Sequence, residues 1–384
     1  MVKYDYIIAG AGCAGLSLLY RLLQDPVLQN RSILMVDKDD KKNNDRTWCY
    51  WEKEPGLFES IVHAKWNTLE FLSTDFEEKL DLGAYTYKMI QGIDFYNFVL
   101  DSAKKFSNVT FLQKNIISIN SDENSAILKT ENTSYFANYI FNSTSIFNPK
   151  ITEENSLLQH FKGWVIKTEK PSFNPEVGRL MDFRLSQENG ATFMYVLPTS
   201  KTEALVEYTL FSPTLLEKEK YSLELQKYIS QELNINDYEI THEEFGVIPM
   251  SLAKFEHNPE KNIINLGTAG GFTKASSGYT FQFIQKNVVE IVANLKVDKN
   301  PNRPLSFTQK KFNWYDRTLI DVLLSKKLTG KDIFTKMFKK ISAEKILAFL
   351  GNESTILEDI SIMKTLPLKP FLVSGIKQLK TKEN

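Results

Sequence analysis

The segment DYIIAGAGCAGLSLLYRLL, residues 5–23, decides the fold. The apolar run Tyr4 to Ala9 has the character of a buried strand, and apolar residues from Leu16 to Leu23 recur at helical spacing. A second apolar run, Ser32 to Val36, follows the helix. Two parallel strands joined by a helix form a right-handed crossover unit that is usually covered on both faces. The start of the chain therefore predicts an α/β fold.

A GxGxxG motif separates the first predicted strand from the helix. Gly10 permits a tight turn, Gly12 lets the backbone approach a pyrophosphate, and Gly15 lets the helix pack on the strand. The helix N-terminus offers N–H groups and a partial positive charge to phosphates. Asp37 ends the next strand, where it can accept hydrogen bonds from a ribose. The motif predicts a dinucleotide-binding site rather than a glycine-rich turn without a ligand, formed by Gly10, Ala11, Gly12, Cys13, Ala14, Gly15 and Asp37.

A second glycine-rich turn, GTAGG at 267–271, lies between an apolar run and a helix predicted from near Gly278 to about Leu295. Two such turns about 250 residues apart suit one elongated FAD better than a nicotinamide dinucleotide. The first turn would hold the ADP half and the second the ribityl–flavin half. Thr268 stands where many flavoproteins carry an Asp, which is a departure from the usual ribityl contact. The flavin-side residues predicted here are Gly267, Gly270, Gly271 and Gly278.

Composition narrows the class of protein. The 384 residues are 42% hydrophobic and 24% charged, and 47 basic residues balance 47 acidic ones. A neutral chain lacks the electrostatic footprint of a nucleic-acid binder. Its two cysteines and four histidines share no ligand spacing, so we expect neither a metal site nor a disulfide framework.

The apolar N-terminus imitates a short signal peptide, but Asp5 interrupts it and no clear cleavage site follows. No stretch approaches about 18 uninterrupted apolar residues, the length that a membrane-spanning helix needs. We expect a cytoplasmic protein.

The rest of the chain changes pattern twice. Residues from about 160 to 250 alternate as in an antiparallel sheet, and the pattern after 304 is helical nearly to the end. We predict an FAD-binding Rossmann-like domain of the glutathione-reductase or hydroxylase type, an interleaved antiparallel-sheet domain for the substrate, and a helical C-terminal region. Their boundaries are 1–50, 85–150 and 250–298 for the first, 51–84 and 151–249 for the second, and 299–384 for the third.

An ordered set of segments resembles one family over nearly the whole chain. It comprises the glycine motif, NDRTWCYW (44–51), QGIDFY (91–96), QHFKGW (159–164), MDFR (181–184), FMYVLPTSKTEALVEYT (193–209), EEFGVIPM (243–250), SSGYTF (276–281), AFLGNESTILEDI (348–360) and MKTLPLKPF (363–371). This set is similar to the FAD-dependent lycopene cyclases of bacterial carotenoid biosynthesis.

The resemblance implies a lycopene β-cyclase, an enzyme of the intramolecular lyase or isomerase class. Such an enzyme closes the ends of lycopene and related linear carotenes into β-ionone rings. An acid protonates a terminal alkene, the neighbouring double bond attacks the tertiary cation, and a base removes a ring proton. FAD is required in its reduced form, with reduction supported by NAD(P)H, but it is not consumed. The substrate dissolves in lipid, so the resemblance also implies peripheral attachment to the inner face of the cell membrane.

The resemblance points to Glu207, in LVEYT, as the catalytic acid. Strand alternation places Glu207 and Thr209 on the same face. A carboxyl group in an apolar pocket has a raised pKa and stays protonated, as a general acid must. From the residues alone, a solvent-facing strand glutamate is the stronger alternative, and Glu203 and Glu243 are the nearest rival carboxyl groups.

Arg46, in the DRTW segment, is the remaining cofactor candidate. Its guanidinium can hold a cofactor phosphate or offset the charge of a reduced flavin. The alternative is a buried Arg46–Asp45 pair in an aromatic core. The rings of Trp48 and Trp51 can face a cation.

Residues 326–345 predict a basic amphipathic helix, with Ile333, Phe334, Met337 and Phe338 at helical spacing among lysines. Such a helix can lie in the headgroup layer of a membrane, or it can pack on the protein and leave its lysines in water.

Two other functions stay open. One is a different FAD-dependent oxidoreductase of isoprenoids or polyenes, such as a reductase, desaturase or monooxygenase. The other is a non-catalytic carrier of a prenyl chain. Product mass separates a cyclase from the oxidoreductases, because cyclisation leaves the mass unchanged.

Overall fold

The first strand, helix and second strand form as the glycine motif predicts. The computed structural model describes residues 3–301 and 304–380, and in it β1 (Lys3–Ala9) leads through the glycine turn into α1 (Cys13–Gln24) and β2 (Ile33–Asp37). β1 and β2 pair in parallel, with Tyr6 opposite Ile33. The predicted crossover unit is confirmed.

Five further strands complete this first sheet: β8 (Val109–Gln113), β9 (Ser118–Ser121), β10 (Ala126–Lys129), β11 (Ser134–Asn142) and β17 (Ile263–Asn265). The strand order is β8-β2-β1-β11-β10-β9, with β17 beside β11. The strands β8, β2, β1, β11 and β17 are parallel, whereas β10 runs antiparallel to both of its neighbours, β9 and β11. The parallel part carries the two glycine-rich turns at the carboxyl ends of β1 and β17, where open α/β sheets bind ligands.

Helices cover one face of the first sheet. α1 packs with α2 (Gly92–Ala103) and α4 (Phe281–Leu295) in one apolar core that includes Ile8 of β1. The adjacent Ile7 belongs to a second core that includes residues of β9 and β10. Ile7 and Ile8 thus point to opposite faces of the sheet, and both faces are buried. This explains why the strand is mostly apolar.

A second sheet, mostly antiparallel, follows the order β16-β12-β15-β14-β13-β5-β6. Its strands are β5 (Thr68–Ser73), β6 (Phe76–Asp81), β12 (Ser156–Lys167), β13 (Val177–Asp182), β14 (Ala191–Pro198), β15 (Glu203–Ser212) and β16 (Glu239–Ser251). The helix α3 (Lys218–Gln231) packs with the sheet through Leu225 against a core that includes Trp164 and Val206. The antiparallel alternation read from 160 to 250 is thus confirmed. The domain boundaries themselves stay a prediction.

A small third sheet was not predicted. It consists of β3 (Thr47–Glu52), β4 (Ala64–Trp66) and β7 (Thr86–Gln91), with β7 in the middle. Trp51 and Trp66 are buried in it, and Thr47 reaches the second sheet by a hydrogen bond to Glu244. This sheet therefore brings the DRTW segment against β16.

The C-terminal region is helical, as predicted: α5 (Phe307–Leu324), α6 (Gly330–Phe338), α7 (Ala343–Leu350), α8 (Ile356–Met363) and α9 (Leu368–Lys380). The apolar face of α6 is packed inward, because Ile333 and Phe334 are each only 1% exposed. Phe334 stacks on Phe183, and Phe338 stacks on Phe71 of β5. Because these side chains are buried in the protein, they cannot enter a membrane, and the interpretation of 326–345 as a membrane-surface helix is wrong. Burial of each Phe stabilises the fold by about 1.5–3 kcal/mol relative to exposure.

Within residues 3–301 and 304–380, none of the helices combines the length and the apolar character needed to cross a bilayer.

Candidate functional site

The two glycine-rich turns lie side by side. Gly267 has a φ of +55°, and a Cβ placed there would come within 2.8 Å of the Ala14 Cβ on α1. Only a glycine allows both this backbone conformation and this close approach. The fold thus joins two segments that are far apart in the sequence into one ligand-binding edge.

The first turn has the geometry that its motif requires. Gly10 has a φ of +100°, and a Cβ at Gly15 would overlap the carbonyl oxygen of Gly10. A Cβ at Gly12 would meet nothing within 4 Å, so this residue faces open space at the start of α1. Gly12 is also the N-cap of α1 and provides no side-chain cap, so the N-terminal N–H groups are available to an anion.

Asp37 braces this turn. Its Oδ2 accepts a hydrogen bond of 2.6 Å from the Ala11 N–H, and Lys41 Nζ lies 3.7 Å away. The Asp37 carboxylate therefore stabilises the glycine turn through this hydrogen bond. Its predicted hydrogen bonds to a ribose stay a prediction. Cys13 is a buried small side chain, and burial raises the pKa of its thiol to about 12. A thiol with so high a pKa is unreactive at neutral pH.

The second turn is a 3-10 turn over Gly267–Gly270 that ends at Gly271, with a φ of +73°. Gly278 shares this φ, and a Cβ there would overlap the side-chain oxygen of Gln159. That Oε1 atom is buried and has no hydrogen-bond partner in the protein. An unpaired buried acceptor beside a glycine cradle fits a site that an added ligand completes. Thr268 pairs instead with Thr273, at 3.2 Å between hydroxyl oxygens.

Arg46 is exposed, and its Nη1 donates to the backbone carbonyl of Asp45. The Asp45 carboxylate accepts a 2.7 Å hydrogen bond from the Tyr96 hydroxyl. The alternative of a buried Arg46–Asp45 ion pair is therefore wrong. Arg46 also lies close enough to Glu244 for its charge to lower the pKa of that carboxyl.

Glu207 sits in the middle of the second sheet. The register places Tyr195, Glu207, Gly163 and Glu244 in one row across β14, β15, β12 and β16. Protein surrounds Glu207 on all sides, yet the residue keeps some accessible surface. Its carboxyl group is therefore enclosed by protein without being completely inaccessible.

The missing side chain of Gly163 lets two carboxyl groups meet. A Cβ at Gly163 would lie 3.1 Å from the Glu244 Cγ and 3.0 Å from the Leu205 Cδ1. Across this gap the carboxyl groups of Glu207 and Glu244 lie close enough for each to affect the pKa of the other. Glu207 also accepts a 2.7 Å hydrogen bond from Thr209, and Glu244 accepts one of 2.8 Å from Thr47.

This arrangement keeps a proton on the pair. Burial is the main cause that raises the pKa of Glu207 well above its usual range, and the charge of Glu244 raises it further. Burial also raises the pKa of Glu244, while the Thr47 hydroxyl opposes the shift. Two adjacent carboxyl groups in a dry site do not both ionise unless a positive charge lies beside them. The pair as a whole therefore keeps a proton at neutral pH, because the pKa of each carboxyl is raised.

Sequence reasoning missed Glu244. The rivals that it named lie elsewhere: Glu203 accepts a hydrogen bond from Thr199, and Glu243 forms an ion pair with Lys162 at 2.9 Å. Glu243 and Glu244 are neighbours on β16 and so point to opposite faces. Only the pairing of β12 with β16 tells which of them meets Glu207, and sequence patterns do not specify this register.

Aromatic side chains form a wall beside Glu207. The hydroxyl groups of Tyr87 and Tyr279 are 3.2 Å apart, and Tyr195, directly opposite Glu207 in the sheet, is also buried. The Trp51 ring meets Tyr279 edge to face at 4.6 Å. The charge of Glu207 raises the pKa of Tyr195, Tyr279 and Cys49, although burial is the main cause for each. These groups therefore lie within reach of the charge on the Glu207 carboxyl.

Tyr279 links the two parts of the site, because it directly follows Gly278 at the end of the second glycine-rich segment. The loop that would run beside a flavin thus delivers a side chain to the carboxyl pair. Trp48, in contrast, packs on Phe95 and Tyr96 of α2. The sequence signal for Tyr279 was present in SSGYTF, but its position near Glu207 depends on the fold.

A cavity of about 1,270 Å³ borders the second glycine turn. Its lining includes Thr268 and Gly271 from the turn, Phe283 of α4, and Trp314 and Leu379 from the C-terminal helices. The volume exceeds the roughly 300–1,000 Å³ that is typical of sites for small ligands.

Three solved structures place this geometry among known folds. A geranylgeranyl bacteriochlorophyll reductase-like protein from Thermoplasma acidophilum has a TM-score of 0.62 at 12% identity, with 98% of both chains covered. A flavoprotein/dehydrogenase from Cytophaga hutchinsonii has a TM-score of 0.64 at 12% identity, over 98% of this chain and 99% of that one. A variant of the halogenase PltM in complex with FAD has a TM-score of 0.58 at 12% identity, over 90% of this chain and 79% of that one. These likenesses confirm the predicted FAD-binding Rossmann-like fold.

A search of curated proteins found no match. The family model described as lycopene cyclase protein, however, matches residues 5–374. The glycine turns, the row that holds Glu207 and the helices α5 to α8 lie within this match, which ends inside α9, and the chain therefore belongs to the lycopene cyclase family.

Proposed function

We propose that this protein is a lycopene β-cyclase that uses reduced FAD to close the ends of lycopene, and of related linear carotenes, without net oxidation or reduction. The observation that carries the proposal is the Glu207–Glu244 carboxyl pair, which retains a proton near buried aromatic side chains that include Tyr279, the residue after Gly278. Protonating a hydrocarbon alkene requires such an acid, shielded from water that would capture the cation.

The residues present fit FAD. Gly12 and the N-terminus of α1 would hold the pyrophosphate, Asp37 the adenosine ribose, and the Gly267–Gly271 turn the ribityl–flavin half. Arg46 is exposed and lies near Glu244, where its charge would offset a negative flavin. A bound reduced flavin would supply negative charge that stabilises a nearby carbocation.

The chemistry assigned to the protein's own residues is a proton cycle. Glu207 gives its proton to the terminal alkene, and the neighbouring double bond closes the ring. The faces of Trp51, Tyr195 and Tyr279 stabilise the positive charge. The ionised Glu207–Glu244 pair then takes up the ring proton, so that the proton count and the substrate mass are both unchanged.

The substrate is soluble in lipid and not in water. We therefore place the protein in the cytoplasm, attached peripherally to the inner face of the cell membrane.

Expression in cells that accumulate lycopene tests this function. We expect cyclic carotenes of the same mass as lycopene, separated from it by chromatography. Unchanged lycopene alongside folded, flavin-loaded protein would contradict the proposal. A product with altered hydrogen or oxygen content would instead support a reductase, a desaturase or a monooxygenase.

A further inference from the structure

The helix α9 turns its apolar residues toward the surface and its small and polar residues toward the protein. The residues that α9 buries are Ser374, Gly375 and Gln378. Its apolar residues face outward, with Leu368 69% and Leu379 66% exposed. A helix on the surface of a globular protein normally has the opposite arrangement, with its apolar residues packed against the core.

Specific contacts fix this orientation. The Trp314 Nε1 on α5 donates a 2.9 Å hydrogen bond to the Gly375 carbonyl, and a Cβ at Gly375 would lie 3.1 Å from the Trp314 ring. The small residue thus lets the two helices approach closely. Rotation of α9 to bury its leucines would break this contact, so the outward apolar face is built into the packing.

The neighbouring helix α8 adds to this surface. It is held on the same part of α5, where Asp359 accepts hydrogen bonds from Lys311 and Tyr315. Its outward residues are also apolar, and Leu357 is 78% exposed. We call the exposed apolar set on the two helices the C-terminal apolar face; it comprises Ile356, Leu357, Ile360, Leu368, Leu372, Val373, Ile376 and Leu379. Single exposed apolar residues are ordinary, but a set of this size on adjoining helices marks an interaction site.

The charges on the α9 side of this face are of one sign, whereas α8 carries Glu358 and Asp359, of which Asp359 is paired with Lys311. Of the α9 lysines, Lys377 forms an ion pair with Asp321. The segment from Lys364 to Lys380 contains four lysines and no acidic residue. Apolar side chains flanked by lysines match the interface of an anionic bilayer, where the chains enter the acyl boundary and the ammonium groups meet the headgroups.

The face also adjoins the large cavity. Leu379 belongs to both, and the cavity extends from there to Thr268 and Gly271 of the second glycine turn. Since Leu379 is exposed, the cavity reaches the surface at the edge of the C-terminal apolar face.

From this we infer that the C-terminal apolar face docks on an anionic lipid bilayer and holds the cavity opening against the membrane. A hydrocarbon substrate then passes from the lipid into the protein without crossing water. The nature of that substrate rests on the proposed function, whereas the docking itself does not.

Flotation of the purified full-length chain with vesicles tests the docking. We expect binding to vesicles that contain phosphatidylglycerol, weaker binding to pure phosphatidylcholine, and further weakening in high salt. The double variant Leu368→Glu/Leu372→Glu should lower binding at least tenfold. A matched variant, Ile117→Glu/Leu223→Glu, places the same charges on exposed apolar residues elsewhere and should bind like the wild type.

Equal binding by the two double variants would overturn the inference. So would a wild-type chain that ignores anionic vesicles and forms a dimer, measured by light scattering, that only Leu368→Glu/Leu372→Glu dissociates. Cyclisation assays in detergent micelles distinguish a failure of membrane docking from a failure of the proposed function, because micelles supply lycopene without a bilayer. A protein that cyclises lycopene in micelles but does not dock contradicts only the inference, and one that docks but does not cyclise contradicts only the function.

Discussion

At the scale of the residue, the site depends on two carboxyl groups that a glycine allows to meet. The Glu207–Glu244 pair lies across Gly163, with one threonine hydroxyl donating to each carboxyl. Burial is the main cause of both raised pKa values. The pair therefore holds a proton that an exposed glutamate would lose at neutral pH.

Replacing the acid should stop the reaction without emptying the cofactor site. Glu207→Gln keeps the size and the hydrogen bonds of the side chain, so we expect normal flavin absorbance and a loss of ring closure of at least about 100-fold. Glu203→Gln, on the same strand, should leave turnover unchanged. Near-normal cyclisation by Glu207→Gln would remove Glu207 from the mechanism.

Replacing its partner should change the pH dependence. Activity requires protonated Glu207 and is lost as pH rises through its pKa. Glu244→Gln removes the negative charge that raises this pKa, so the alkaline limb of the pH–rate profile should move to lower pH. The other titratable groups near the pair, Cys49, Tyr195, Tyr279 and His242, are unchanged in this variant. An unmoved limb would show that Glu244 does not act on Glu207.

At the scale of the element, the glycine motif divides into positions that build the turn and a position that serves the ligand. Gly15 is in contact with the carbonyl of Gly10, whereas Gly12 faces open space with a φ of −84° that any residue adopts. The two glycines therefore have separable roles.

Two alanine substitutions test this division. Gly15→Ala should destabilise the protein by about 1–3 kcal/mol or more, because the new methyl group overlaps backbone. Gly12→Ala should melt like the wild type but bind FAD more weakly, since the methyl group occupies space intended for the pyrophosphate. Thermal melting and flavin absorbance of both variants measure the two effects. Equal flavin loading in Gly12→Ala and wild type would contradict the assignment.

At the scale of the whole molecule, local patterns were predictable and long-range pairing was not. The crossover unit follows from apolar runs and glycine spacing within residues 5–37, which are close in sequence. The partner of Glu207 depends on the register between β12 and β16, which no local pattern encodes. Periodicity also could not separate α6 from α9, because an apolar stripe has the same spacing whether it faces the core or the outside.

The packed helix α6 gives a stability test at this scale. Phe334→Ala should lower the free energy of unfolding by about 3–5 kcal/mol, because it leaves a cavity against Phe183. Lys336→Ala, on the same helix, should change it by less than about 0.5 kcal/mol. Chemical denaturation measures both variants. A Phe334→Ala protein as stable as the wild type would mean that α6 is not part of the core.

The most direct measurement of the central claim is the mass of the product formed in heavy water. If an exchangeable carboxyl proton starts ring closure, each new ring should contain a single deuterium from the solvent, and Glu207→Gln should form no labelled product. Rings formed without solvent deuterium, or a product that differs from lycopene by a pair of hydrogens, would contradict acid-catalysed, redox-neutral cyclisation by this protein.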